Sequence, residues 1–280
     1  MSERAIAVVK VAGFALVQDA GRPGRMHEGI PPGGALVPEL LARANRAVGN
    51  DDGEAAIELV GSLAIAAGEG VLVANDDGET CLLKPGELRT FEARRGRRVS
   101  YLAFAGGLDV PRVLGGKGTL KAAGIGGVEG RGLRKGDRVL LGAKTGDPPT
   151  TLPKFEDDGA PLRVVIGPDD ELFLPDALET LLGSPFSISP TSDRTGTRLV
   201  GPPLARAPAI ASSSSTPMVA GAIEVPPSGA SIVLGPDHPT TGGYPVIAVL
   251  VRADLGRFHA RPLGATVRFS RADLEHTARV

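Results

Sequence analysis

Several residue types are scarce in this 280-residue sequence, and each scarcity excludes a class of protein. Cys81 is the single cysteine, so the chain cannot build an internal disulfide framework. Neither sign of charge dominates, because 31 Lys and Arg residues face 32 Asp and Glu residues. This balance gives no electrostatic reason to expect nucleic acid or an anionic membrane as a partner.

Long hydrophobic runs are also missing. No stretch approaches the roughly 20 apolar residues that cross a bilayer. The apolar stretch near the first residue is about five residues long, which is too short for a signal peptide. We therefore expect a soluble, cytoplasmic protein without a membrane partner.

Glycine and proline are abundant instead, with 39 and 24 copies, while 42% of the residues are hydrophobic. This composition is typical of many short strands joined by tight turns. Between Ala56 and Ala67 the pattern predicts two strands, broken at Gly61-Ser62. Helices are predicted at 37–50, where Pro38 suits the first turn and Gly49 the end, and at 174–183. The segments "DVPRVLG" and "ADLGRF" are predicted to be single turns.

The chain is predicted to fold as two mainly β domains, residues 1–145 and 161–280, joined by a proline-rich linker at 146–160. A Pro-Pro loop occurs once in each half, as "HEGIPPGGA" at 27–35 and "EVPPSGA" at 224–230. A duplicated β domain explains both observations economically.

Familiar cofactor motifs fail on inspection. "GGKGT" at 115–119 lacks the Ser or Thr after the lysine and the upstream glycine of a phosphate loop. "GIGGVEG" misses the dinucleotide spacing, and no Gly-x-Ser-x-Gly elbow is present. The four histidines lie far apart in the sequence, with no pair at metal-ligand spacing, so we predict no metal site.

Three loops concentrate glycine with short polar residues, at 17–35, 189–201 and 235–245. Polar groups on loops between strands are where binding sites usually lie, so we expect the three loops to share a site. A structural alternative is that Asp19 and Asp193 accept hydrogen bonds from turn N–H groups and pair with Arg22 and Arg194.

Seven motifs in these loops and around them carry a resemblance to a known family. They are "VQDAGRPG", "RANRAVGN", "AGGLDVPRVLG", "EGRGLRKGDRVLLG", "SDRTGTRLVG", "GAIEVPPSGASIVL" and "TTGGYPVIAVL". The chain resembles the biotin-dependent carboxyltransferase family, which includes the C-type subunit of 5-oxoprolinase, the regulator KipA, allophanate hydrolase subunit 2 and the carboxyltransferase domain of urea carboxylase. The resemblance implies two tandem cyclophilin-like β-barrel domains with a few short helices.

The resemblance implies a subunit of a complex that processes a small amide, most simply the ATP-dependent conversion of 5-oxoproline to glutamate. The expected partners are the B-type subunit of 5-oxoprolinase, or a KipI-like protein, and the A-type subunit. ATP or carboxybiotin would come from these partners. Biotin carriers attach biotin to a lysine flanked by methionine, and no methionine flanks a lysine in this sequence, so the chain is not expected to carry biotin itself. Two alternatives stay open: a KipA-like regulatory module that binds a partner protein, and a diverged paralogue with altered or lost activity.

Fixed hydrogen-bond donors aimed at a carbonyl or carboxylate oxygen are the main requirement of this chemistry. We expect catalytic roles for Asp193, Arg194 and Tyr244, with the Asp193 carboxylate or the Tyr244 hydroxyl moving a proton. The candidate substrate-binding residues are Gln18, Asp19, Arg22, His27, Gly33, Gly34, Glu224, Ser228, Thr240, Thr241, Gly242 and Gly243.

The sequence departs from the family pattern at several of these loops. Val37 stands where an aspartate would cap the helix at Pro38, a loss that we expect to cost near 1 kcal/mol. Gly34, Gly116 and Gly118 replace usual serines, and Arg25 replaces a tyrosine. Pro239 and Glu224 replace glutamines. The Gly and Pro framework is kept, so we expect any change of function at the first Pro-Pro loop, whereas the second keeps Ser228.

Overall fold

The computed structural model describes residues 4–144, 146–207 and 215–272, and this part of the chain is mainly β. It contains three α-helices, α1 (Pro38–Ala47), α2 (Pro175–Gly183) and α3 (Arg252–Ala260). The chain divides into two compact units. One comprises Met1–Pro23 with Gly33–Phe155, and the other comprises Gly24–Pro32 with Glu156–Val280. The proposed domain limits, with a linker at 146–160, stay a prediction.

The first unit is built on an eight-stranded sheet. Its strands are β1 (Ala5–Gln18), β2 (Ala56–Ala67), β3 (Val71–Asn75), β4 (Thr80–Leu83), β5 (Leu88–Glu92), β6 (Ser100–Phe104), β7 (Leu108–Asp109) and β8 (Arg138–Leu141). The order is β4-β3-β6-β2-β1-β8-β7, and β5 also pairs with β2. One face carries the core, in which Ile6, Leu59 and Ile65 are fully buried. The N–H of Thr119, in the loop after β7, donates to the carbonyl oxygen of Val17 at 2.8 Å and holds this loop beside the end of β1.

The prediction of two short strands at 56–67 is wrong, because β2 is one continuous strand paired along β1. Gly61 lies directly opposite Gly13, and both have positive φ angles, 86° and 98°. A Cβ on Gly13 would lie 2.2 Å from the carbonyl oxygen of Val60, and one on Gly61 would lie 2.0 Å from that of Ala12. The glycines bend both strands at one place without ending either.

The two predicted helices are confirmed. Helix α1 has Pro38 in its first turn and packs on β6 with Leu40, Leu41 and Ala44 buried. Helix α2 likewise begins at Pro175 and buries Ala177 and Leu181. In both cases the fixed φ of proline suits the first turn, where its missing N–H costs no hydrogen bond.

The second unit also contains an eight-stranded sheet. Its strands are β9 (Leu162–Ile166), β10 (Phe186–Ile188), β11 (Gly196–Val200), β13 (Ala222–Glu224), β14 (Ile232–Leu234), β16 (Val246–Leu250), β17 (Thr266–Val267) and β18 (Phe269–Arg271). The order is β17-β10-β11-β14-β13-β16-β9-β18, and a separate two-stranded sheet joins β12 (Thr216–Pro217) to β15 (Thr241–Gly242). Leu162, Ile223 and Phe258 are fully buried in its core.

The segment "ADLGRF" is not the predicted single turn, because it belongs to the nine-residue helix α3. Gly256 and the scarcity of apolar residues hide the helical period in the sequence. The carboxylate of Asp254 in the first turn pairs with the guanidinium of Arg163 on β9, at 2.9 and 3.0 Å. This ion pair with a distant strand stabilises a helix whose own residues give it little helix propensity.

No helix in the described part of the chain is long and apolar enough to cross a membrane.

Candidate functional site

The end of β1 places three predicted site residues, Gln18, Asp19 and Arg22, in one buried cluster of the first unit. The Arg22 guanidinium donates from Nε to the carbonyl oxygen of Val113 at 2.9 Å and from Nη2 to that of Gly118 at 2.7 Å. A planar fork of fixed donors suits such a set of carbonyls. Arg22 therefore holds the loop after β7 against the loop after β1.

Asp19 joins three segments of the first unit. Its carboxylate accepts the N–H of Gly21 at 2.8 Å and the N–H of Lys117 at 2.6 Å. Its backbone carbonyl accepts the N–H of Ala35 at 3.0 Å. The alternative from the sequence, that Asp19 accepts turn N–H groups, agrees with this geometry. The same side chain also reaches a loop 98 residues away.

Three glycines at positions where the family resemblance expects serine lie at close approaches in this cluster. A Cβ on Gly118 would lie 2.7 Å from Asp19 Oδ1 and from Gln18 Oε1. A Cβ on Gly116 would lie 2.8 Å from the carbonyl oxygen of Gly21. Gly34, with φ 83°, would place a Cβ 2.9 Å from the backbone nitrogen of Gly21. The loops pack together so closely that no side chain fits at these positions without movement.

We expect Gly118→Ala to lower the free energy of unfolding by about 1–3 kcal/mol, because the added methyl must displace two side chains that are already hydrogen-bonded. Urea denaturation at equilibrium measures the change. Gly115→Ala is unsuitable as a control because Gly115 has φ 91°, whereas a Cβ on Gly183 meets nothing within 4 Å, so Gly183→Ala is the matched control. Equal small effects of both substitutions would contradict the close packing at Gly118.

Two buried polar atoms in this cluster have no hydrogen-bond partner in the described part of the chain, Gln18 Oε1 and Thr119 Oγ1. The other end of the Gln18 amide is fixed, since Nε2 donates to the carbonyl oxygen of Thr119 at 2.9 Å. Buried polar atoms nearly always have partners. The unmatched oxygens mark this cluster as a place where a hydroxyl or a water could bind.

The absence of an aspartate at position 37 is compensated elsewhere. Val37 is the N-cap of α1 and makes no side-chain cap, as expected. The buried Tyr101 hydroxyl accepts the N–H of Val37 at 3.0 Å and donates to Glu58 Oε2 at 2.7 Å, and Glu58 Oε2 also accepts the N–H of Leu36 at 2.9 Å. Side chains of the sheet thus hold the residues that lead into α1.

Residues Gly24–Pro32 belong to the second unit, and they carry His27, another predicted binding residue. The His27 side chain is 76% exposed, and its Nε2 lies 3.5 Å from Glu28 Oε1. Arg25 donates to both Glu28 oxygens at 2.9 Å. His27 is therefore a surface side chain beside an exposed ion pair. Gly33 and Gly34 follow in the first unit, with φ angles of 60° and 83°.

In the second unit, Arg194 forms a bidentate ion pair with Asp237. Nε and Nη2 of Arg194 each donate to one carboxylate oxygen at 2.9 Å, and the side chains are 12% and 9% exposed. Backbone bonds reinforce the pair, because Asp237 N–H donates to the carbonyl of Arg194 at 3.2 Å. The loops 189–201 and 235–245 are thereby joined at their bases.

Asp193 shapes the turn before β11. Its Oδ1 accepts the N–H of Thr195 at 2.8 Å and the N–H of Gly196 at 3.1 Å. This is the turn role that the sequence offered as the alternative to catalysis. The catalytic role proposed for Asp193 stays a prediction.

Glu224 at the end of β13 meets the "TTGGYP" loop. It is 7% exposed, and a Cβ on Gly242 would lie 3.1 Å from its Oε1 and 2.9 Å from the Cε of Met218. Burial raises the pKa of the Glu224 carboxyl. The loop is held in place because Met218 N–H donates to the carbonyl of Thr240 at 3.0 Å and β12 pairs with β15.

The remaining predicted residues of the second unit are more exposed. The Tyr244 side chain is 47% exposed at the end of the same loop as Gly242 and Gly243. Thr241 is exposed, Thr240 is half-buried, and the exposed Ser228 hydroxyl accepts the N–H of Ala230 at 3.4 Å. Glu224, Thr240, Thr241, Gly242, Gly243 and Tyr244 thus lie along one loop and the strand beneath it. That all three predicted loops share one site stays a prediction.

His238 is a functional candidate that the sequence did not single out. The imidazole is fully buried, Nδ1 donates to the carbonyl of Pro239 at 2.7 Å, and Nε2 has no partner among the described residues. Burial lowers its pKa, so the neutral ring is favoured. Asp237 and Met218 were missed as well. No local pattern in the sequence pointed to Asp237, because its partner Arg194 lies on another loop.

In the described ranges, no three His, Cys, Asp or Glu side chains are grouped so as to hold a metal ion. The loops of the second unit offer the fixed guanidinium of Arg194, the buried carboxyl of Glu224, glycine N–H groups and the phenol of Tyr244. These groups can bind an amide or a carboxylate and hold a proton close to it.

The architecture and these loops define a β-sheet protein whose candidate sites lie in Gly- and Pro-rich loops between strands. The chain belongs to the carboxyltransferase domain family, subdomain A and B, whose model matches residues 28–271.

Two relatives are similar along nearly their whole length. Over 290 residues the chain is 34% identical to the C subunit of 5-oxoprolinase from Escherichia coli (strain K12), with 96% of this chain and 91% of that protein covered. It is 28% identical to the C subunit of 5-oxoprolinase from Haemophilus influenzae, covering 98% of this chain and 94% of the relative. Among solved structures, K. lactis urea amidolyase matches with a TM-score of 0.91 at 23% identity. That match covers 100% of this chain but 19% of the larger protein, and it concerns the fold.

Proposed function

We propose that this chain is the C-type subunit of a 5-oxoprolinase, which with its partners converts 5-oxoproline to glutamate at the expense of ATP. The observation that carries the proposal is the 34% identity to the C subunit of a 5-oxoprolinase over 96% of this chain. The similarity to one component of a complex implies partner proteins. We propose a B-type or KipI-like protein and an A-type protein as these partners.

The finer features of the proposal follow from the same resemblance. Each unit would be a cyclophilin-like β-barrel, which the eight-stranded sheet in each unit supports. ATP or carboxybiotin would be supplied by the partner proteins rather than attached to this chain, and the complex would work in the cytoplasm.

Opening a lactam places negative charge on the carbonyl oxygen and needs a proton at the leaving nitrogen. We assign the first task to Arg194 and to N–H groups of the glycine loops, which are donors in place before the reaction begins. We assign the second to the phenol of Tyr244 or the carboxylate of Asp193. Gln18, Asp19 and Arg22 would position the loops of the first unit rather than touch the reacting atoms, since Asp19 and Arg22 bind backbone groups.

Co-expression with the proteins encoded by neighbouring genes tests the proposal. We expect the purified complex to release glutamate from 5-oxoproline only when ATP is present, and parallel reactions with urea and biotin to give no product. Tyr244→Phe and Asp193→Asn should each lower kcat by about 100-fold if the side chain moves a proton. Asp170→Asn, which changes an exposed acid, is the control. Unchanged turnover in both site variants would remove these roles.

A diverged paralogue is the second candidate, and the closed packing around Gly116 and Gly118 favours it. Where the family resemblance expects serine hydroxyls, this chain has close contacts that leave no room for a Cβ on Gly116 or Gly118. A complex that assembles but turns over urea instead of 5-oxoproline, or neither, would support this candidate.

A further inference from the structure

Two tight turns of the first unit hold a residue other than glycine in the left-handed region of backbone conformation. Among the described residues, Leu114 with φ 52° and Glu129 with φ 54° are the two non-glycine residues with positive φ. Each is followed in its turn by a glycine, Gly115 with φ 91° and Gly130 with φ 65°. Turns with two positive φ angles normally carry asparagine, aspartate or glycine, because the Cβ of other residues is strained there. A leucine and a glutamate at these positions therefore need another explanation.

The glutamate has a structural role within the chain. Glu129 Oε2 accepts hydrogen bonds from Nε and Nη2 of Arg131 at 3.0 and 2.8 Å. The same guanidinium binds the carboxylate of Asp137 through Nη1 at 2.7 Å and through Nη2 at 2.9 Å. The turn at 128–131 thus places Glu129 beside a cation that a second acid also holds. Its conformation is explained by contacts inside the first unit.

The leucine has no comparable role in the fold. Leu114 is 39% exposed, and it belongs neither to the buried core of the first unit nor to the side chains described as packing on that core. Its position combines an apolar side chain in contact with water and a strained backbone, although asparagine or glycine would form the same turn. Strained backbone that the fold does not require is concentrated at functional sites. The side chain of Leu114 therefore points to a contact outside this chain.

The turn that carries this leucine is held firmly at its base. Val113 and Gly116 exchange both backbone hydrogen bonds, at 2.8 and 3.2 Å. Nη1 of Arg112 donates to the carbonyl oxygen of the second turn residue at 2.9 Å. Beneath the turn, the buried Arg22 donates from Nε to the carbonyl oxygen of Val113 at 2.9 Å. The leucine is thus presented in one position, so little conformational freedom is lost when another molecule covers it.

A cation lies beside this apolar side chain. Arg112 is exposed, and in the described part of the chain its guanidinium meets a backbone carbonyl but no carboxylate. Pro111 is exposed as well. Residues 111–115, called the tip below, form a protruding turn, whereas small molecules bind in concave sites. The tip fits a pocket on another protein, apolar where it receives Leu114 and acidic where it meets Arg112.

We propose that the tip docks a partner protein of the complex, with Leu114 inserted into an apolar pocket of that protein and Arg112 facing carboxylates at the border of the pocket. This inference rests on the proposed function for the existence of the partner, since the similarity to a C subunit is what implies a complex. It adds the surface of this chain through which the partner is held and the chemistry that the partner must offer.

Titration of the fluorescently labelled full chain with the purified proteins encoded by neighbouring genes, each alone and then together, measures the docking. Leu114→Asn should raise the Kd about 10–50-fold, because the pocket loses its apolar occupant. Arg112→Met should raise it about 3–10-fold and make binding less sensitive to salt than in the wild type. Glu129→Asn makes the same kind of change in the other strained turn, so it is the matched control and should leave the Kd unchanged.

Urea denaturation of the chain without partners separates docking from folding. Asparagine adopts positive φ more readily than leucine, so Leu114→Asn should leave the denaturation midpoint unchanged or raise it while binding weakens. Leu114→Met keeps an apolar side chain and should retain most of the affinity. A midpoint that falls in Leu114→Asn together with the affinity would show that the leucine serves the fold, and it would overturn the inference.

The inference and the proposed function fail in different ways. An active complex in which Leu114→Asn binds its partners like the wild type, or changes only the KM, overturns the inference and leaves the proposed function standing. Self-association of the chain that Leu114→Asn abolishes would assign the tip to a second copy and also overturn the inference. A complex that assembles through Leu114 but releases no glutamate from 5-oxoproline removes the proposed function and supports the inference. A wild-type chain that binds none of these proteins overturns both.

Discussion

Arg194→Met is expected to lower the free energy of unfolding by about 3–5 kcal/mol, because it leaves the Asp237 carboxylate buried without the cation that pairs with it. Both charges are nearly excluded from water, and the two 2.9 Å bonds join the loop before β11 to the loop before β16. Equilibrium urea denaturation of the full chain, followed by circular dichroism, measures the loss.

The double variant Arg194→Met with Asp237→Leu separates the pair from the packing around it. Removing both charges should recover a large part of the loss, since no uncompensated ion remains. Arg198→Met, on the exposed face of β11, is the matched control and should stay within about 0.5 kcal/mol of the wild type. A cost for Arg194→Met as small as that of the control would show that the pair contributes little.

Arg22→Met is expected to cost about 3 kcal/mol, since the carbonyls of Val113 and Gly118 lose their donor in a place that water does not reach. Arg22→Lys should recover only part of this, because a single ammonium cannot reproduce the fork of the guanidinium. The free energy of unfolding is again the measurement. Arg25→Met, which breaks an exposed ion pair with Glu28, is the control and should cost less than about 1 kcal/mol.

An effect of Arg22→Lys as small as that of Arg25→Met would contradict the assigned role. In that case a point charge in the cluster, rather than directed hydrogen bonds to the loop after β7, would be what the first unit needs.

The sequence predicted the two helices that begin with a proline. Pro38 and Pro175 stand at helix starts, and α1 and α2 begin there. Helix α3 lacked such signals, and its start depends on the contact between Asp254 and Arg163, which lie 91 residues apart. The sequence prediction divided β2 at Gly61, because a glycine in an apolar run predicts a break when its partner strand is unknown.

The site shows the same limit. The loops of Asp19 and Asp193 were identified from composition, and both carboxylates do accept turn N–H groups. The sequence could not show that Lys117 N–H would reach Asp19 or that Asp237 would pair with Arg194, since no local pattern records contacts between distant loops. Glu224 was chosen through the resemblance, whereas its burial is a property of the folded chain.

The facing pair Gly13 and Gly61 has a consequence for how this chain can evolve. A side chain at position 13 collides with the carbonyl of Val60, and one at position 61 collides with the carbonyl of Ala12. The first substitution at either position is therefore destabilising while the opposite strand keeps its bend. Once one glycine is lost, the bend that required the other is lost with it. The two positions are therefore expected to change together among descendants of this chain, as a correlated pair on a solvent-facing part of the two strands.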